Sequence, residues 1–129
     1  MTNVGEPVAQ ALRDRPDLLV RLTRLVDLVE DGRFDPQILA MCRKRVGTIL
    51  ACPTHAGRAP AREELDSRQL ACLDFAEMFV LDHHSITDED ARAVTAHLSD
   101  AEMVVFTTAL ALYDGFCRFE RTLVQPRSN

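Results

Sequence analysis

The stretch Ser99-Asp-Ala-Glu-Met-Val-Val-Phe-Thr-Thr-Ala-Leu-Ala-Leu-Tyr-Asp-Gly-Phe-Cys117 decides the fold class. It opens on Ser99 with Glu102 three positions later, a reciprocal capping arrangement that satisfies two of a helix's free N–H groups. Met103, Phe106, Leu110, Tyr113 or Asp114, and Cys117 then recur at helical spacing. Apolar residues cover more than one face, so this helix belongs at the centre of the fold or at a subunit contact. Its apolar run from Met103 to Tyr113 is too short to cross a bilayer, which takes roughly 20 residues.

The same pattern extends upstream. Pro16 opens a helix with Leu18, Leu19, Leu22, Leu25, Val26 and Val29 on one side and Arg21, Arg24 and Asp27 on the other; Gly32 suits its left-handed exit. Asp35-Pro36 starts a second helix, with a capping carboxylate followed by a proline at the first helical position. Its stripe is Ile38, Met41, Cys42, Val46, Ile49 and Leu50. Gly47 within that stripe reads as a close helix–helix contact, and Pro53 stops or kinks the helix. Asp66 with Gln69 caps a third helix that ends near Leu81-Asp-His-His84, and Thr87 with Asp90 caps a short fourth one. Residues 56–65 form a connector. Residues 1–14 read as a loose arm or a short helix, and residues 124–129 as a polar tail. No segment alternates as a strand does. The expectation is a single all-α domain over residues 1–129, a compact bundle of five to six helices.

Composition narrows the function classes. The chain has 129 residues, 47% of them hydrophobic and 27% charged, with a net charge of −5. An acidic balance speaks against a nucleic-acid or anionic-membrane binder, and Arg43-Lys44-Arg45 is too small a basic patch to reverse it. Cys42, Cys52, Cys72 and Cys117 include no Cys-x-x-Cys pair and have no zinc-knuckle spacing. The first residues carry no basic segment followed by an apolar run, so no secretory signal is expected. Reduced thiols in a cytoplasmic protein are the simple reading.

Chemistry concentrates in Met41-Cys-Arg-Lys-Arg-Val-Gly-Thr-Ile-Leu-Ala-Cys-Pro-Thr-His55. Here a thiol and an imidazole lie three residues apart at the end of an amphipathic helix. Cys52 is a candidate nucleophile whose thiolate a nearby His⁺ or Arg45 would favour, or a small buried residue at a helix end. His55 is a candidate base or proton shuttle, or a loop histidine bonded to a carbonyl. His83 lines a pocket or serves as a dipole partner at a helix end; adjacent His83 and His84 do not make a metal site. Asp114, within an apolar stripe, is a pocket acid or half of an ion pair with Arg45 or Arg118. Tyr113 orients a substrate or packs at the core edge. Cys42, Cys72 and Cys117 read as buried hydrophobes.

Three pieces resemble the carboxymuconolactone decarboxylase/alkylhydroperoxidase-D-like superfamily. Arg43-Lys-Arg45-Val-Gly-Thr-Ile-Leu-Ala-Cys52 is similar to its Arg-x-Arg-Val/Ile…Cys helix, and Asp66 through Glu77 to its Leu-x-Phe-Ala-Glu helix. Leu81-Asp-His-His-Ser-Ile-Thr-Asp-Glu-Asp90 through His97-Leu-Ser-Asp-Ala-Glu102 resembles a recurrent stretch of the family. Phe116-Cys-Arg-Phe119 looks like its closing segment. The resemblance covers most of residues 36–123. It implies a helical subunit that forms dimers, trimers or hexamers, with sites near subunit contacts. In the peroxidase branch a Cys-x-x-Cys pair, a histidine and an upstream glutamate run thiol chemistry. Carried over, Cys52 matches the first cysteine, His55 occupies the second cysteine's position, Ala59 the histidine's, and the glutamate falls near Ala40. The resemblance therefore implies a repurposed site. The leading expectation is acid–base chemistry of decarboxylase, isomerase or cyclase type on a small organic molecule in an apolar pocket. Cys52 and His55 would be catalytic; His83, Tyr113, Asp114 and Arg45 would line the pocket, with no metal and no cofactor. A one-cysteine thiol-dependent hydroperoxide reductase and a non-catalytic ligand-binding oligomer are the alternatives.

Overall fold

The computed structural model describes residues 3–124, and every regular element among them is helical. In order these are α1 (Glu6–Ala11), α2 (Pro16–Val29), α3 (Pro36–Ile49), α4 (Ser67–Leu81), α5 (Asp88–Thr95) and α6 (Asp100–Phe119). Single 3-10 turns occupy Arg62–Glu64 and His83–Ser85, and a wider π turn, Glu120–Val124, prolongs α6. The all-α bundle expected from the sequence is what forms.

Helix starts fall where the capping chemistry places them. Asp35 Oδ1 accepts from the Gln37 and Ile38 N–H groups at the head of α3. Asp66 with Gln69, Thr87 with Asp90, and Ser99 with Glu102 each close both bonds of a capping box. A cap of this kind is worth about 1 kcal/mol, and the four together fix where α3, α4, α5 and α6 begin.

α6 lies at the centre, with Phe106, Ala109, Leu110, Tyr113, Phe116 and Cys117 buried. It packs against α2, α3 and α4, and α3 lies against both α4 and α6. The rings of Phe34 and Phe75 meet Phe106, at centroid distances of 5.5 and 6.1 Å. Arg68 at the head of α4 bonds both Asp35 and Glu102, tying the first turns of α3, α4 and α6 together.

Of the loose arm or short helix expected over residues 1–14, the short helix α1 forms, and the segment is packed from Asn3 on: Val4 and Val8 are 0% and 1% exposed, and α1 lies on the 120–124 turn. Two valines four residues apart seal that end, a pattern too short for periodicity to reveal. Gly47 does mark a close approach, but to a loop and not to another helix. A Cβ there would lie 2.4 Å from Ala56 N and 2.5 Å from His55 C. Within the tail expected over 124–129, residues 125–129 lie outside the described residues, as do Met1 and Thr2.

Candidate functional site

The end of α3 delivers Cys52 and His55. Ala51 adopts a left-handed backbone with φ 53°. Its N–H bonds Thr48 O at 3.2 Å, and the Cys52 N–H reaches Gly47 O at 2.8 Å. This pair of bonds is a Schellman ending, in which the chain reverses over the last turn. It tucks Cys52 under the helix at 1% exposure. The Cys52 carbonyl then accepts from the His55 and Ala56 N–H groups at 3.1 and 2.8 Å, folding Pro53 and Thr54 into a turn and burying His55 at 6% exposure. The bare Cα of Gly47 is what lets this turn lie flat on α3.

The end of α6 supplies the other half. Glu120, 3% exposed, accepts from Thr54 Oγ1 at 2.5 Å, and its other oxygen lies 3.6 Å from Cys52 Sγ. The Sγ atoms of Cys52 and Cys117 and a ring nitrogen of His55 all lie within 4.8 Å of one another. Two short repeats thus converge, Cys52-x-x-His55 from the α3 exit and Cys117-x-x-Glu120 from the α6 exit. A three-residue step places both members of each pair on one side of a turn. Cys117 thereby changes role, from one more buried hydrophobe to the partner thiol of Cys52. Nothing local in the sequence marks Glu120, which lies beyond the end of the apolar stripe that closes on Cys117.

Electrostatics defines what the cluster presents. Arg43 Nε–H donates to His55 Nδ1 at 3.0 Å. A neutral imidazole owns one lone pair and one N–H. With Nδ1 accepting, the proton sits on Nε2, which is buried with no hydrogen-bond partner. Burial, and next the Arg43 charge, push the His55 pKa down to about 4, against a smaller upward pull from Glu120. Burial likewise raises the Cys52 thiol; a hydrogen bond with Cys117 opposes this, and the Glu120 charge reinforces it. Cys117 is raised too, first by burial and then by that same bond to Cys52. Cys72, packed in the core, is pushed up to about 11 chiefly by burial. A Cys52 thiolate favoured by His55⁺ or Arg45 is therefore not what forms.

Cys52, His55 and Cys117 are the residue types a soft metal ion would use. The Arg43 bond already takes the one lone pair of neutral His55. The cluster thus offers two thiols and an N–H, which differs from a three-ligand cage.

The remaining candidates are dispersed. Tyr113 is fully buried and donates to Glu30 Oε2 at 2.6 Å. Glu30 in turn pairs with Arg43 at 3.3 Å, and the Arg43 guanidinium lies 5.0 Å from the Tyr113 ring centroid. Tyr113 thus reaches His55 only through Glu30 and Arg43. Arg45 turns to Glu77, at 2.9 Å, on the α4 side. Asp114 pairs with Arg118 one turn along α6, the second of the two partners foreseen for it. His83 is exposed and its ring lies against His84, 4.1 Å between centroids. The arginine of the site is Arg43. A signal for it existed: Arg43 is four residues before Gly47, on the face that meets the 52–56 turn.

A surface cleft of about 350 Å³ lies beside the cluster, lined by Leu50, Cys117, Arg118, Arg121 and Thr122. Cys117 is common to the cleft and the cluster. No protein-family model matches this chain, and no curated protein or solved structure matches it either.

Proposed function

We propose that this protein is a thiol-dependent hydroperoxide reductase in which Cys52 and Cys117 cycle between dithiol and disulfide. The observation that carries this reading is the second thiol, with Cys117 Sγ within 4.8 Å of Cys52 Sγ. Glu120 takes the Cys52 proton, and the Cys117 S–H bonds the resulting thiolate. The thiolate attacks the O–O bond, giving Cys52 sulfenic acid and, with one proton, an alcohol. Cys117 thiol displaces hydroxide from that sulfur; water leaves and a disulfide remains. An external dithiol returns both residues to thiols. The oxidant enters through the cleft that Cys117 borders. The resemblance to the alkylhydroperoxidase-D-like superfamily supports the same reading, because two thiols, an imidazole and a carboxylate all gather here. Only Cys52 does so at the family's own position; the second thiol and the carboxylate come from the end of α6.

The acid–base enzyme foreseen from the sequence has less support. His55 is buried, neutral and bonded at Nδ1, which leaves it no lone pair with which to accept a substrate proton. Self-association, which the resemblance implies, is supported by exposed Leu18, Leu25 and Leu28 on α2. A cytoplasmic setting is supported by four free cysteines. Among the described residues no helix is long and apolar enough to cross a membrane.

The test is turnover of cumene hydroperoxide with dithiothreitol. Cys52→Ser is expected to lose at least about 100-fold, a loss on the scale seen when a nucleophile is removed. With dithiothreitol left out, Cys117→Ser should consume one equivalent of hydroperoxide and leave a sulfenic acid on Cys52 that dimedone labels. Equal turnover in wild type and Cys52→Ser would sink the proposal.

A further inference from the structure

We infer that Arg43 is a positioning residue that locks His55 in its Nε2–H form, so that His55 serves the sulfur pair as a fixed hydrogen-bond donor and not as a proton acceptor. The inference rests on the thiol reading for its purpose but not for its geometry. A guanidinium Nε always carries hydrogen and never accepts. At 3.0 Å from Nδ1 it admits only the ring form with a lone pair there. A second ring proton would have to face the Arg43 N–H and would set two cations side by side in a buried site.

Arg43 has little freedom to turn away. Its Nη2 donates to Asn3 O at 2.8 Å, its Nη1 pairs with Glu30 at 3.3 Å, and its plane covers the Tyr113 ring. Tyr113 Oη holds the same Glu30 oxygen. Glu30 therefore accepts from both Tyr113 Oη–H and Arg43 Nη1–H, which anchors the guanidinium between α6 and the α2 exit while its Nε–H points at the imidazole. Phe116 stacks on the ring at 6.1 Å and 20° between planes, and Gly5 approaches its Cε1–Nε2 edge. The titratable and charged groups around it are Arg43 from α3, Cys117 from α6, Glu120 beyond it, and Cys52 from its own turn.

What this leaves is a donor, more than nine-tenths buried, with no partner in the dithiol state. The sulfurs gathered at the ring are weak acceptors as thiols and strong ones as thiolate or as sulfenate oxygen. A ring nitrogen lies within 4.8 Å of both sulfurs, so negative charge developing there gives the unpartnered N–H of this imidazole more to interact with, the condition under which a preorganised donor favours reaction. A lysine or a solvated histidine at position 55 would lack this one-way character.

The experiment is long-range ¹H–¹⁵N NMR of the reduced full chain between pH 5 and 8, with no oxidant present. Wild type is expected to show His55 as a single Nε2–H tautomer that does not protonate across the range. Arg43→Met should release Nδ1, so that the ring samples both tautomers and its pKa rises, while burial still holds it below the free-imidazole value. Glu30→Gln, which leaves the Arg43 Nε–H in place, should retain the wild-type tautomer. An Nδ1–H tautomer or an imidazolium in wild type at pH 6 would overturn the inference, and so would an Arg43→Met spectrum identical to wild type. Because the wild-type spectrum decides by itself, poor folding of a variant does not blunt the test. Because no turnover is measured, a failed peroxidase assay and a failed tautomer assignment are separate results.

Discussion

His55 makes the stability of this protein depend on pH in a direction its environment dictates. Burial and the Arg43 charge hold its folded pKa at about 4, against an ordinary value of 6.5. The unfolded chain therefore binds a proton that the folded chain refuses. Stability is complete above pH 6.5 and is lost as pH falls towards 4. One proton taken up on unfolding costs about 1.4 kcal/mol per pH unit, so ~3 kcal/mol is lost through this residue across the window. Urea unfolding of wild type and His55→Phe at pH 7.5 and 4.5 measures it. The difference between the two proteins should shrink or reverse at the lower pH, and a parallel decline would contradict the assignment. At this scale the sequence is informative where chemistry is local. Cys52 and His55 stand out because a proline-broken helix end carries both. Arg43 and Arg45 look equivalent as letters, yet residues two apart on a helix point to opposite sides, and only packing tells which side meets the turn. Cys117 and Glu120 stay hidden because their meaning depends on a partner half a chain away.

α3 and its exit turn form the element that holds the cluster together, and Gly47 is its critical position. The backbone at 47 is helical, so the residue is not needed for an unusual φ. Its value lies in having no side chain where the His55–Ala56 backbone passes at 2.4–2.5 Å from a would-be Cβ. Backbone, unlike a flexible side-chain end, cannot step aside. Gly47→Ala gains helix propensity worth about 1 kcal/mol but must push the whole 52–56 turn outward. Overpacking of that kind costs about 1–3 kcal/mol, and the bonds His55 makes to Arg43 are lost with it. The expected net outcome is a loss of about 1–2 kcal/mol in urea unfolding, with faster alkylation of Cys52 by iodoacetamide and little change at Cys42. A more stable protein with an unreactive Cys52 would show that the turn is not pinned there. Element boundaries were the most legible part of the fold, because Asp35, Asp66, Thr87 and Ser99 are local caps with local partners. The contact that Gly47 makes was legible in kind but not in partner: a glycine in an apolar stripe announces a close approach without saying to what.

Over the whole molecule, the segment from Asn3 to Ala11 and the turn after α6 meet and close the cluster from outside. Asn3 O receives Arg43, Val4 is fully buried, and Gly5, with φ 90°, leaves bare the place where a Cβ would lie 3.0 Å from Thr54 Cγ2. α1 then rests on Glu120–Val124, the turn that carries the site's carboxylate. Asn3 Nδ2 also bonds Thr23 O and Asp27, joining this cover to α2. Deleting residues 1–8 removes two buried valines at about 1.5–3 kcal/mol each and takes the Asn3 acceptor from Arg43. The loss expected in urea unfolding is ~4 kcal/mol. Loss of stability alone would expose every thiol through global unfolding, so the informative measurement is site-resolved. Under native conditions, labelling with a bulky maleimide followed by peptide mapping should show Cys52 and Cys117 modified well before Cys42 and Cys72. Val94→Ala on α5, a core truncation that leaves the cover intact, supplies the comparison: its thiols should react together, at a rate set by global opening. If the deletion behaves like Val94→Ala, the N-terminal segment only adds stability. If Cys52 and Cys117 alone become reactive, the same segment is the wall that keeps water and bulky thiols from the pair.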